Sequence, residues 1–421
     1  MSEAIDFQPV AGAEGEIEHS TPEIFARHLV EWAIDRHASD LFVSDTENSV
    51  IVSVRRLGRI EVVRRLARDY GHRLQGYFRV LVGADAGENI RPSEGRASIQ
   101  TPNGGTVDLR LSALPTLFGQ DVAIRLFDPV NGARSLDELG LDHHELAAIE
   151  SLIDRDAGLI LVAGPVASGK SSSLYAMIDR LADGSRKIHT LEDPIEHSVA
   201  DVMQSQVNLR AGLDFADLLS IVLRHSPDVI MIGEIRDGQT AATAVRAGSS
   251  GQLVLATIHA KSSAEAIESM LHYGSNPKFL SSALIGVITQ RLVRRLCPNC
   301  RQVVKHDSPV PIPQHIAYRL EGHDAAVYRA GRCEGCFEDG FCDLTCVPEI
   351  MDVNDNLADA IANGITSSDL VAMARQHGML TLADTALVRT LQGITTPQEA
   401  NRIAMSAELA ELVLMAKQDN K

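Results

Sequence analysis

No cysteine occurs in the first 296 residues, which removes the disulfide framework of a secreted domain. No stretch approaches the ~18 consecutive apolar residues of a membrane span, and the amino terminus opens acidic, without a signal-peptide core. A soluble, cytoplasmic chain with no transmembrane segment is expected. Positive charge is scarce too: 39 Lys and Arg stand against 56 Asp and Glu, a formal net charge of −17. Neutralising nucleic-acid phosphates over a long footprint needs a basic face, so direct nucleic-acid binding is not expected. Any phosphate site must be local and preorganised. The 421 residues are 45% apolar, enough for two or three globular domains with real cores.

Residues 1–19 carry Glu14, Glu16 and Glu18 among small residues without periodicity and read as a flexible tail. Ser20 with Glu23 fits a capping box, and Phe25, Leu29, Trp32 and Ala33 recur at helical spacing. Val50 to Val54 and Arg59 to Val63 read as a hairpin about Gly58; Val107 to Leu111 and Val122 to Leu126 continue the pattern around a turn at Pro115. A small α+β domain over 20–128 follows, with a linker over 129–140 opening on Pro129-Val-Asn-Gly. Apolar strands then alternate with helices: Leu159 to Ala163, Lys187 to Leu191, Val229 to Gly233 and Leu253 to Thr257 imply a parallel sheet covered on both faces over 141–296. A cysteine segment spans 297–346. Helices around Thr366 to Gln376 and Leu382 to Leu391 make 347–421 a helical end-piece.

Gly164-Pro165-Val166-Ala167-Ser168-Gly169-Lys170-Ser171 matches G-x-x-x-x-G-K-[ST] between an apolar strand and a helical run. Glycines let such a loop turn its N–H groups around the phosphates, the following helix presents its positive end, and Lys170 reaches the β and γ groups. Ser171 is the expected Mg²⁺ ligand, with Ser172 beside it, so ATP and Mg²⁺ are the expected cofactors. The bland alternative is a glycine turn with a surface lysine. Hydrolysis also needs carboxylates to arrange the metal's water and polarise the attacking one. Glu192 and Glu234 each follow an apolar strand, where ligands of α/β sheets gather, although either could merely cap the next turn. Cys297-Pro-Asn-Cys300 and Cys333-Glu-Gly-Cys336 form two C-x-x-C pairs, with 32 residues between Cys300 and Cys333, and suit tetrahedral Zn²⁺.

These motifs, with Leu191-Glu-Asp-Pro-Ile-Glu196, Gln206-Val-Asn208, Leu223-Arg-His-Ser-Pro-Asp228, Gly233-Glu-Ile-Arg-Asp237 and Thr257-Ile-His259, resemble the secretion ATPases that power type II secretion and type IV pilus assembly. The likeness runs from about Ser20 to Arg402. It implies a RecA-like P-loop NTPase core, an α+β N-terminal domain facing the nucleotide, a zinc-knuckle insertion and a helical C-terminal end. By resemblance Glu192 is the general base, Glu234 positions the Mg²⁺ water and His259 senses the γ-phosphate, where a lone histidine would otherwise read as structural. Arg96, Arg110 and Arg125 reach it from the N-terminal domain. The resemblance also implies a homo-oligomeric ring of six, peripheral to the inner membrane, engaging the cytoplasmic domains of platform proteins. The tetracysteine insertion points to the assembly branch. Only about twenty residues precede the first helix, so a separate N-terminal docking domain is not expected.

The chain departs from the family's pattern at Ser53, Leu57, Ser220, Ser226 and Gln252, each replacing a charged or titratable group expected near the ring interface or the γ-phosphate. Two readings follow: a working motor, or a nucleotide-binding adaptor that hydrolyses little. Arg55, Arg56 and Arg59 read either as a phosphate-facing cluster or as solvated strand-edge charges. Cys342 and Cys346 read as buried thiols or as spare metal ligands.

Overall fold

The computed structural model describes residues 20–85, 87, 90–127, 134–305, 310, 312–322 and 325–418. The tail over 1–19 and residues 129–133 of the expected linker lie outside the described residues. The chain divides into two compact units, one ending at residue 132 and the other beginning at residue 133. Among the described residues no helix is long and apolar enough to cross a membrane.

The first unit runs α1 (Pro22–Asp35), β1 (Ala38–Asp45), β2 (Val50–Arg56), β3 (Arg59–Leu66), α2 (Arg68–Leu81), β4 (Ser93–Gln100), β5 (Thr106–Thr116) and β6 (Gly119–Phe127). The cap of α1 is Thr21, one residue past the expected Ser20. Its hydroxyl accepts the Ile24 N–H at 3.4 Å, and Pro22 takes the first helical position, where no N–H is needed. Ser20 meets the Tyr70 hydroxyl at 3.2 Å instead. The six strands form one antiparallel sheet ordered β3-β2-β1-β6-β5-β4. Phe25 and Leu29 of α1 and Leu74 and Phe78 of α2 pack with Leu41, Leu111 and Ile124. The β5–β6 turn falls at Leu117 and Phe118; Pro115 lies inside β5 opposite Gln120, so the turn expected at Pro115 is displaced.

The second unit runs α3 (His143–Ile153), β7 (Gly158–Ala163), α4 (Lys170–Leu181), β8 (Ile188–Glu192), β9 (Met203–Gln206), α5 (Phe215–Val222), β10 (Val229–Ile232), α6 (Gly238–Ser249), β11 (Leu253–Ile258), α7 (Ser263–His272), α8 (Pro277–Ala283) and β12 (Leu284–Leu296). It continues through β13 (Gln302–Val303), β14 (Tyr328–Arg329), β15 (Phe341–Asp352), α9 (Asp355–Ala362), α10 (Ser367–Gln376), α11 (Leu382–Leu391), α12 (Pro397–Ile403) and α13 (Ala407–Gln418). The main sheet is ordered β15-β12-β7-β11-β10-β8-β9, with every neighbouring pair parallel except β12 and β15. Every residue of β7, β8, β10 and β11 is buried, because helices cover both faces. Leu159 and Leu161 face the layer of α5 to α10, whereas Ile160 and Val162 face α3 and α4.

Residues 341–352 bridge the expected cysteine segment and helical end-piece, and in the structure they form β15, paired with β12 from Gly286 opposite Asp352 to Leu296 opposite Phe341. A smaller core joins Val293 and Val347 of that pair to Ile316, Leu320, Val327 and helices α11 to α13. A buried ion cluster bolts these pieces together. Arg319 donates to Asp142 at 2.9 Å and to Glu145 at 2.7 Å, and Arg389 donates to both acids. Each charge of such a buried group depends on its partners remaining in place.

Candidate active site and metal centre

Four parallel strands end at one edge of the main sheet, and their order sets the order of the site. From β7 to β11, β10 and β8, the residues that follow or finish each strand are Gly164, His259, Gly233-Glu234 and Glu192. The loop after β7 is tightly turned. A Cβ at Gly164 would lie 2.3 Å from Ser168 Oγ and 2.7 Å from the Gln290 carbonyl oxygen, so the loop closes as a cradle only with glycine there. Gly169 has φ +85° and stands immediately before α4, while Pro165, Val166 and Ala167 form the exposed outer turn. Ser168 Oγ is buried without a hydrogen-bond partner, and Ser171 and the exposed Ser172 occupy the first turn of α4. An orphaned hydroxyl and a glycine-only cradle at a helix N-terminus suit a phosphate chain. Lys170 Nζ donates to the carbonyls of Gly164 at 2.8 Å and Pro165 at 2.9 Å. Burial lowers the pKa of this ammonium, and the Glu234 carboxylate partly opposes that shift.

Glu234 and His259 come together: Oε1 lies 2.8 Å from His259 Nε2, and Oε2 accepts from Arg236 Nε at 2.7 Å. Glu192 stands apart from this pair. It is 3% exposed, accepts from Thr190 Oγ1 at 2.6 Å and Gln204 Nε2 at 3.0 Å, and accepts from the Tyr175 hydroxyl. Arg236 spans the gap, 3.8 Å from Asp193 and 2.6 Å from Glu234. Gln252, one of the departures from the family's pattern, precedes β11, at the opposite end of that strand from His259. The loss of a titratable group there does not touch the phosphate edge. Ser53 is buried opposite Phe42, and Leu57, at φ +47°, occupies the turn between β2 and β3.

Gln290 of β12 carries no signal in any phosphate motif, yet it braces the cradle. Its Nε2 donates to the Ser168 carbonyl at 2.9 Å, and its Oε1 accepts from Ser173 Oγ of α4 at 2.9 Å. In a trans peptide the Ser168 carbonyl and the Gly169 N–H point oppositely, so tying the carbonyl to β12 turns that N–H the other way. Gln290 is one of five polar residues between Leu284 and Leu296, so its position alone does not single it out. Gln290→Leu is expected to weaken Mg²⁺–ADP binding about tenfold, the size of effect of one buried hydrogen bond left unmade. Titration calorimetry beside a melting curve checks this; unchanged affinity in a folded variant contradicts it.

In the first unit, strand register places the expected arginines in one row. Arg96 is opposite Arg110, Arg110 opposite Arg125, Arg125 opposite Asp40 and Asp40 opposite Arg55. Asp40 lies 3.4 Å from both Arg55 and Arg125, while Arg96 and Arg110 are exposed. Like charges directly opposite are unfavourable in a sheet, and Asp40 offsets this on the side of Arg55 and Arg125 only. Arg55 lies on β2, an interior strand rather than an edge, and its partly exposed side chain pairs with Asp40. Arg56 is buried, with Nε donating to the Arg36 carbonyl at 3.0 Å, and Arg59 pairs with it in register.

The four cysteines of the two knuckles form one cluster in which all sulfurs lie within 4.8 Å of one another. Cys297 to Cys333 and Cys300 to Cys336 measure 3.7 Å, and Cys333 to Cys336 measures 3.6 Å. A tetrahedron of Zn–S bonds of about 2.3 Å has sulfurs about 3.8 Å apart, so the donor set fits zinc. Cys342 and Cys346 stand outside this cluster. Cys342 Sγ faces the Arg295 and Leu296 carbonyls, and burial pushes the Cys346 thiol up to about 12.

Residues 16–402 match the family model described as type II/IV secretion system protein. The type IV pilus assembly ATPase PilB of Thermus thermophilus is 34% identical over 384 residues, covering 91% of this chain and 43% of that protein. The type II secretion system protein E of Dickeya dadantii is 35% identical over 372 residues, covering 88% of this chain and 73% of that protein. Among solved structures, the Legionella pneumophila ATPase DotB superposes with a TM-score of 0.68 at 19% identity over 95% of this chain and 99% of that one. The pilus retraction motor PilT with bound ADP gives 0.60 at 24% identity, over 90% and 97%. At such identities the superpositions speak for the fold, while the extent of the family match speaks for descent. The chain therefore belongs to the type II/IV secretion system protein family.

Proposed function

We propose that this chain is an ATP-hydrolysing motor that powers type II secretion or type IV pilus assembly. The observation that carries the reading is the convergence of the Gly164 cradle, Lys170, Glu234 and His259 on one edge of a parallel sheet. The loop from Gly164 to Ser172 holds the phosphates of ATP, with Lys170 on the β and γ groups and Ser171 a ligand of Mg²⁺. Bound Mg²⁺ would supply charge neutralisation between the β and γ oxygens. Glu234 orients its water shell, His259 reports on the γ-phosphate through Glu234, and Glu192 takes the proton of the attacking water. Arg96, Arg110 and Arg125, with Arg55, form an anion-receiving row, and the chain works as a homo-oligomeric ring of six. The ring works at the cytoplasmic face of the inner membrane against platform proteins. Cys297, Cys300, Cys333 and Cys336 hold a structural Zn²⁺.

A second reading, an adaptor that binds nucleotide and hydrolyses little, is favoured by the enclosure of Glu192 among its three donors. Phosphate release from Mg²⁺–ATP by the oligomeric protein separates the two. The motor should release phosphate at least ~10-fold faster than its Lys170→Ala variant, because the lysine carries the main mobile charge of the site. Equal release from the two proteins defeats the motor reading.

A further inference from the structure

We infer that Tyr175 is a positioning residue that holds the Glu192 carboxylate from the nucleotide-binding helix. The inference rests on the reading of Glu192 as the base. Tyr175 lies on α4, one turn beyond Ser171, and is 4% exposed. Its hydroxyl donates to Glu192 Oε2 and accepts the Glu196 N–H at 3.2 Å. The His197 ring lies against the tyrosine ring, with centroids 3.7 Å apart and planes 31° from parallel, which fixes the direction of the hydroxyl. Burial, and then the adjacent Glu192 carboxylate, raise the phenol's pKa above its ordinary value, so the oxygen keeps its proton and remains a donor.

Counting acceptor sites gives this contact its meaning. A carboxylate has about four lone-pair positions. Tyr175, Thr190 and Gln204 take three, which leaves one for a further donor. Thr190 precedes Glu192 on the same strand and Gln204 lies on the neighbouring β9, so both move with the sheet. Tyr175 alone among these three donors belongs to the helix that begins at Lys170. The hydroxyl therefore ties Glu192 to the helix that carries Lys170 and Ser171, whereas the other two donors tie it to the sheet.

Tyr175→Phe deletes one oxygen and keeps the ring against His197. In phosphate-release kinetics its kcat should fall roughly 10- to 150-fold, the range for losing one hydrogen bond to a charged group. KM and the Mg²⁺–ADP dissociation constant should stay within about twofold, because the deleted hydroxyl bonds Glu192 and Glu196, neither of which belongs to the loop. In a Glu192→Gln background the same change should have no further effect, since a residue that acts through Glu192 has nothing left to position. An unaltered kcat in Tyr175→Phe, or an equal fall in both backgrounds, overturns the inference. A Glu192→Gln enzyme with the wild-type rate sinks the base reading itself and the positioning role with it, whereas an inactive Glu192→Gln beside a normal Tyr175→Phe sinks only the role of Tyr175.

Discussion

Replacing Glu192 by glutamine is expected to lower phosphate release by roughly 10²- to 10⁴-fold, the span for loss of a general base. Mg²⁺–ADP affinity should change little. Glutamine keeps the shape of the buried side chain at the end of β8. What it loses is the capacity to take a proton. The phosphate loop, Lys170 and Ser171 belong to other elements and remain in place, so binding and chemistry should separate. Release at saturating ATP, with calorimetry on the same preparation, reads both quantities. A rate within threefold of wild type would remove Glu192 from the chemistry and leave Glu234, already shared by His259 and Arg236, to carry it.

The main sheet was legible because its central strands are buried on both faces and therefore appear as unbroken apolar runs. Val229 to Ile232 and Leu253 to Ile258 need no partner information to be recognised. The phosphate loop was legible for a different reason: its chemistry is local, confined to nine residues between one strand and one helix. Partners distant in sequence were not. Tyr175 and Gln290 reach their targets across 17 and 122 residues, and neither lies in a motif whose spacing predicts the contact. The arginine row depends on register across five strands, where a slip of one residue sends a side chain to the opposite face, so the resemblance could name Arg96, Arg110 and Arg125 but not align them with Asp40 and Arg55. Strand β15 was hidden by its composition. Two cysteines, three acids and a proline within Phe341 to Asp352 mask its pairing with β12, whose long strand supplies the hydrogen-bonding edge.

Loss of the cysteine cage should be the largest structural effect. Cys297→Ser/Cys333→Ser removes one thiolate from each knuckle, and a two-thiolate remnant does not close a tetrahedral site. Zinc should fall from one ion per chain in the wild type to none. The cage closes the loop between Cys300 and Cys333, and tying a loop of that length is worth about 4 kcal/mol in chain entropy. At 2–4 °C per kcal/mol the melting temperature should drop by about 10 °C. The damage should stay local. β12 and β15 remain paired along their length, and the Cys297 N–H still donates to the Gly340 carbonyl at 2.9 Å, so the strand that carries Gln290 stays beside the phosphate loop. Limited proteolysis should therefore cut within 297–340 while Mg²⁺–ADP binding persists. A wild-type protein that folds and melts normally with no metal bound would show that the sulfurs are free thiols gathered by packing alone.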